Sequence, residues 1–184
     1  MPSVPKERFA RLQTGERVYL RHPVLTDAEE FLSLIRASRS YHRPWVHPPG
    51  TSHAFRKYAE RVGSERFFPS FICLRDTDAI VGVVNLSEIV RGLFQSAYLG
   101  FYGHVEHAGH GLMKEGTELL VRHAFRKLKL HRIEANVQPD NERSLALVRA
   151  LGFHKEGLSP RYLKIGGRWR DHERWALLAE DWKR

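Results

Sequence analysis

The sequence predicts one α/β domain, of the α+β kind in which helices and strands are unevenly interleaved. Three observations carry that prediction. Stretches with a two-residue apolar period and stretches of helical period follow one another in the order strand, two helices, three strands, helix, strand, helix, two strands. The 184 residues, 42% hydrophobic and 28% charged, suit a single globular core and exclude a disordered chain. No apolar run approaches the roughly 18–20 residues that span a bilayer. One cysteine, Cys73, excludes an internal disulfide framework and a cysteine-based zinc site.

Residues 1–14 read as a flexible, basic lead-in without the apolar stretch of a signal peptide. Residues 15–184 are then the single domain, and the reducing cytoplasm is the expected compartment. Residues 18–21 form a short strand. Thr26 opens a helix: with Glu29 it fits a capping box, and Phe31, Leu32 and Ile35 supply an apolar face. Residues 40–50 contain Pro44, Pro48 and Pro49 and are predicted to be irregular. A second helix covers 52–61. Strands at 67–74 and 79–88 flank the turn Arg75-Asp76-Thr77-Asp78, and a third strand follows at 95–102. Met113, Leu120, Ala124 and Leu128 make one stripe of a long helix over 112–128. A strand at 133–137 and a helix at 141–151 come next. Strands at 162–165 and 170–178 pair across Gly166-Gly167, a dipeptide that tolerates positive φ.

Two loops carry candidate chemistry. Glu106-His107-Ala108-Gly109-His110-Gly111 stands after a strand and at the mouth of the long helix. Its glycines let backbone N–H groups approach a ligand, and the helix dipole favours an anion there. The loop lacks the Lys-Ser/Thr of a P-loop and the third glycine of a dinucleotide fingerprint. In Pro139-Asp140-Asn141-Glu142-Arg143-Ser144, Asp140 or Asn141 serves as a helix cap; the functional alternative has the Asn141 amide bind a peptide-like ligand while the Ser144 hydroxyl serves a leaving group. His104, His107 and His110 share no common face and have no completing carboxylate pair or cysteine, so no metal site is expected. Cys73, between Ile72 and Leu74, reads as a buried, inert thiol.

The order and spacing of these pieces resemble the GNAT N-acetyltransferase superfamily, and specifically ribosomal-protein-alanine N-acetyltransferases of the RimJ type. The likeness rests on Asn85-Leu86-Ser87-Glu88, Tyr98-Leu99-Gly100-Phe101, Gly109-His110-Gly111-Leu112-Met113, His131-Arg132-Ile133, the Asn141 and Ser144 pair, and Gly166-Gly167-Arg168-Trp169-Arg170-Asp171-His172. It covers roughly residues 16–182. The resemblance implies a mixed central sheet of about seven strands, splayed between the fourth and fifth and flanked by about four helices. It implies acetyl-CoA as acyl donor and no metal. Pantetheine would lie in the splay against Phe101, Tyr102 and Gly103, with Asn141 on its arm. The pyrophosphate would sit on the N–H groups of Ala108, Gly109, His110, Gly111 and Leu112. The superfamily's usual thiolate-protonating tyrosine falls at Val148, so Ser144 is implied as general acid. Glu106 stands where the family often has Gln or Arg. Trp45 and Tyr98 are candidate contacts of the acceptor.

Direct attack by an amine is the implied reaction, since Cys73 lies on an earlier strand. The backbone N–H near Phe101 or Tyr102 is the expected donor to the carbonyl oxygen. An α-amino group, with a reference pKa near 7.7–8.0, loses its proton at pH 7 for about 1 kcal/mol; a lysine near 10.4 needs about 4.6 kcal/mol. Glu88 is the one carboxylate nominated as base. The implied acceptor is therefore the N-terminal α-amine of a protein, a ribosomal protein above all. The formal charge of +9 fits approach to acetyl-CoA or to rRNA and argues against polycationic acceptors such as polyamines or aminoglycosides. Two alternatives stand: a small-molecule amine acetyltransferase, using a local acidic patch of Glu88, Glu106 and Asp171, and a non-catalytic RNA- or ribosome-binding module on the same fold. No membrane partner is expected, and a monomer or a homodimer.

Overall fold

Eight strands, where the sequence suggests seven, build one mixed sheet in the order β1-β2-β3-β4-β5-β6-β8-β7. The computed structural model describes residues 10–183. The extra strand is β1, Gln13–Thr14, paired antiparallel with β2, Val18–Arg21. The domain therefore begins before residue 15: Leu12 donates its N–H to the Leu20 carbonyl at 2.8 Å. The first nine residues of the expected lead-in lie outside the described residues.

All four residues of β2 are buried, so both faces of the sheet are covered there. Arg21 is tolerated in that position because Asp27 meets its guanidinium in a bidentate pair at 2.7 and 2.8 Å. That pairing also moves a helix start. Asp27, not Thr26, precedes α1, Ala28–Ala37, and its carboxylate takes the Val24 N–H at 2.8 Å. A one-turn helix α2, Arg39–His42, runs into the start of the segment expected to be irregular; the chain leaves helix where Pro44 forbids it. In α3, Ser52–Ala59, the Thr51 hydroxyl caps the Ala54 N–H at 3.2 Å.

Strands β3, Phe67–Leu74, and β4, Ile80–Val90, form an antiparallel hairpin, and β5, Ser96–Gly103, continues the meander. After β5 come the long helix α4, Leu112–Arg126; β6, Arg132–Val137; and α5, Glu142–Ala150. A hairpin of β7, His154–Ile165, and β8, Arg168–Leu178, completes the sheet. β7 begins eight residues earlier than the apolar pattern suggests, because its first half lies exposed at the sheet edge.

Two apolar clusters flank the sheet. One gathers Leu112, Leu119 and Leu120 of α4 and Leu145 and Val148 of α5 against Leu86, Leu99 and Ile133. The other packs Phe31, Phe55 and Tyr58 of α1 and α3 on Phe67, Phe71 and Val83. Cys73 belongs to this second cluster; burial pushes its thiol up to about 12, so it stays protonated and inert.

Candidate active site

The single parallel pairing, β5 with β6, holds only at Ser96↔Arg132, Ala97↔Ile133 and Tyr98↔Glu134. Beyond Tyr98, β5 runs on to Gly103 beside β4 alone, while β6 runs on to Val137 beside β8. The sheet is therefore split into a wedge whose apex is at Tyr98. With β1 counted, this is the splay that the resemblance places between the fourth and fifth strands.

Hydrogen-bond alternation decides which backbone groups face the wedge. The His104 N–H bonds the Val81 carbonyl on β4. In an antiparallel ladder alternate residues share that direction, so Tyr102, Gly100 and Tyr98 are committed to β4. The last parallel pair, Tyr98↔Glu134, uses the Leu99 N–H on the Glu134 carbonyl, so the groups left facing the wedge are the Leu99 C=O, both backbone groups of Phe101 and the Gly103 N–H. This corrects the backbone role expected of Tyr102 and adds Leu99, a residue the sequence reading leaves out. The free edge offers the pattern of an incomplete strand, which an extended amide-bearing chain completes.

At the mouth of the wedge the loop before α4 turns through two left-handed glycines, Gly109 at φ 82° and Gly111 at φ 74°. Gly111 is the N-cap and supplies no side-chain cap, so the first-turn N–H groups of Leu112 and its successors stay open. The N–H of Ala108 is already engaged by the Val105 carbonyl at 3.2 Å, which narrows the anion cradle to residues 109–114. Arg17 steadies it. Its guanidinium donates to the His110 carbonyl at 2.9 Å and to Glu115 Oε2 at 2.9 Å, which ties the loop to α4. The cradle, the free strand edge and the wedge between them fit a nucleotide diphosphate carrying an amide-linked arm. Among the described residues no group of three or more His, Cys, Asp and Glu is placed to hold a metal.

The other lip begins at Asn141. Its Oδ1 accepts the Ser144 N–H at 3.2 Å, so the cap exists, and it leaves the amide nitrogen free to donate. Ser144 and Val148 are one turn apart on the same helix face. Val148 is fully buried in the apolar cluster, so the hydroxyl that α5 presents beyond it belongs to half-buried Ser144.

Opposite-facing residues line the side of the sheet away from α4. Tyr98 lies there beside Ser87 and Glu134. Its hydrogen bond with Tyr162, then burial, then the Glu134 charge raise its pKa to about 12. Gly100 is open: a Cβ built on it meets nothing within 4 Å. Residues 41–50 cross this side of the mouth. His42 Nε2 donates to the Gly103 carbonyl at 2.8 Å on one lip, and the Trp45 carbonyl accepts from Gln138 Nε2 at 3.3 Å on the other. Arg143 covers the Tyr41 ring at 4.7 Å. Trp45 thus anchors the strap through its backbone, with its ring half-buried at the rim.

Glu88 is not brought to this space. It sits in a bulge at φ 47°, level with the closed end of the wedge, and its 58%-exposed side chain is ion-paired with Arg66. Glu134, nearer the apex, is paired with Arg132 at 2.8 Å.

His104, 1% exposed, packs edge-on against Phe31 near His42. Burial, then His42 and His107, press its pKa down to about 3. An unfolded histidine titrates near 6.5. Between those values the unfolded chain holds the extra proton, so stability falls as pH drops through that window. Thermal unfolding of His104→Leu should show a shallower loss of Tm between pH 6.5 and 4.5 than the parent; parallel curves would assign the acid lability elsewhere.

A wedge in a mixed sheet, with an anion cradle at the following helix, defines an acyltransferase that holds its donor as an added strand. The chain belongs to the GNAT acetyltransferase family, whose domain model matches residues 17–154. It is 36% identical over 188 residues to the [ribosomal protein uS5]-alanine N-acetyltransferase of Escherichia coli (strain K12), covering 98% of this chain and 95% of that protein. It is 35% identical over 175 residues to the probable N-acetyltransferase YjcK of Bacillus subtilis (strain 168), covering 91% and 97%. Among solved structures, Mycobacterium smegmatis RimJ in complex with CoA-disulfide superposes with a TM-score of 0.84 at 28% identity, over 91% of this chain and 84% of that one. The chain is thus an N-acetyltransferase that takes its acetyl group from acetyl-CoA. None of its described helices is long and apolar enough to cross a membrane.

Proposed function

We propose that this enzyme acetylates the N-terminal α-amino group of a protein, a ribosomal protein foremost, in the cytoplasm. The observation that carries the reading is that Glu134, at the apex, is ion-paired with Arg132, while Glu88 lies outside the wedge on Arg66. A site without a free carboxylate base suits an amine that is already partly neutral near pH 7. The 36% identity to an enzyme named for a ribosomal-protein alanine supports the same acceptor.

Acetyl-CoA supplies an activated thioester. The chain supplies the rest. The wedge-facing N–H of Phe101 is the donor aimed at a developing oxyanion. Asn141 Nδ2 and the free edge of β5 orient the arm; residues 109–114 hold the diphosphate. As the amine nitrogen bonds the acyl carbon and the carbon–sulfur bond breaks, Ser144 gives its hydroxyl proton to the sulfur. The proton shed by the amine leaves through water, and Ser144 is reprotonated from solvent. The exposed basic residues of the β7–β8 hairpin, Arg161, Lys164 and Arg168 beside Trp169, are the surface for rRNA.

The test is thiol release from acetyl-CoA with an alanine-initiated peptide, with mass spectrometry locating the label. Acetyl on the α-nitrogen is the expected product. Acetyl only on a lysine side chain, or turnover only with spermidine, would overturn the reading.

A further inference from the structure

The acceptor side of the wedge carries three polar groups that the chain leaves unused. Asn136 lies on β6 two residues past Glu134, level with open Gly100 across the gap. Its Oδ1 is buried and accepts nothing. Directly across from it on β8 stands Arg174, whose buried Nε also lacks a partner, so two complementary groups on adjacent strands leave each other unbonded. Four residues back on the same strand face, Arg170 repeats the pattern with a third buried, unpartnered Nε. Neither arginine forms an ion pair among the described residues. The charges near them are spoken for: Glu173 faces the other side, bonded to Lys155 and Trp175; Asp171 takes the Arg161 N–H; and Glu156, which feels Arg174, is held by Arg132.

Spacing turns these groups into a track. From Asn136 and Arg174 to Arg170 is four residues of strand, about 13 Å, the reach of the first four or five residues of an extended peptide. Asn136 Oδ1 suits an N–H of the incoming amine beside the open floor at Gly100. The two guanidiniums, half-buried and desolvated at Nε, suit a carboxylate further along.

We propose that Asn136, Arg174 and Arg170 select acceptor peptides that carry an acidic side chain within the first five residues, the amine resting on Asn136 and the carboxylate on the arginines. This rests on the α-amine reading above and goes on to name the substrate class. It also assigns the arginines a reason to be unpaired: a lysine-rich N-terminus meets two half-buried cations and is excluded.

The test uses three alanine-initiated pentapeptides that differ only in the third residue, glutamate, glutamine or lysine. The expected kcat/KM for the glutamate peptide exceeds that of the glutamine peptide about tenfold, with the lysine peptide lower still. Arg174→Gln and Arg170→Gln should each compress the glutamate-to-lysine ratio several-fold, and together bring it near unity. Their thermal shift with acetyl-CoA should match the parent's, which shows the fold and donor site intact. Equal rates on all three peptides, or a ratio that survives both substitutions, overturns the proposal while the α-amine reading stands. Transfer to none of the peptides, with acetyl-CoA still bound, overturns both.

Discussion

Ser144→Ala should lower kcat about a hundredfold and leave the affinity for acetyl-CoA within twofold of the parent. The expectation follows from how α5 is built. Asn141 Oδ1 holds the Ser144 N–H through the backbone, so removing the hydroxyl leaves the cap and the helix intact. What is lost is the proton for the departing sulfur, and a positioned acid contributes roughly 10²–10⁴-fold. Val148, one turn on, is apolar and fully buried and offers no substitute. Stopped-flow or thiol-release kinetics at saturating donor and acceptor separates kcat from KM. Equal turnover in the variant would remove Ser144 from the chemistry.

The second large effect should come from Gly111→Val, read in the donor's KM: a rise of ten- to a hundredfold, with kcat changed less. Gly111 sits at φ 74°, where a β-branched residue is strained by about 1–3 kcal/mol. A Cβ there also approaches the Arg17 guanidinium at 3.5 Å, the group that ties the loop to α4. The loop escapes by turning its N–H groups away from the diphosphate. Gly111→Ala should do the same more weakly. A normal KM in the valine variant would mean that the diphosphate is held elsewhere.

Local signals made much of this legible in the sequence. The glycines before α4, the cap and hydroxyl at Asn141 and Ser144, and the Gly166-Gly167 turn all act on their own neighbourhood, and each lies where its spacing puts it. What the sequence hid was tertiary. Glu88 looks like a free carboxylate until Arg66, 22 residues away, is folded against it. Asp27 displaced Thr26 as the residue before α1 because buried Arg21 needed a counter-charge. Ladder alternation decided that Leu99, and not Tyr102, faces the wedge. Asn136 carried no motif at all; the divergence of β5 from β6 leaves its Oδ1 without a hydrogen-bond partner. Residues 41–50 read as prolines interrupting a chain, and their use as a strap between the lips depended on Gly103 and Gln138, remote in sequence.

The most direct measurement is amide hydrogen exchange with and without acetyl-CoA. The wedge-facing amides of Phe101 and Gly103, together with those of residues 109–112, should slow markedly when the donor binds, while Tyr98, Gly100 and Tyr102, already bonded to β4, and Leu99, already bonded to β6, change little. Bound donor without protection at either segment, or protection confined to another surface, would contradict a wedge that takes acetyl-CoA as its missing strand.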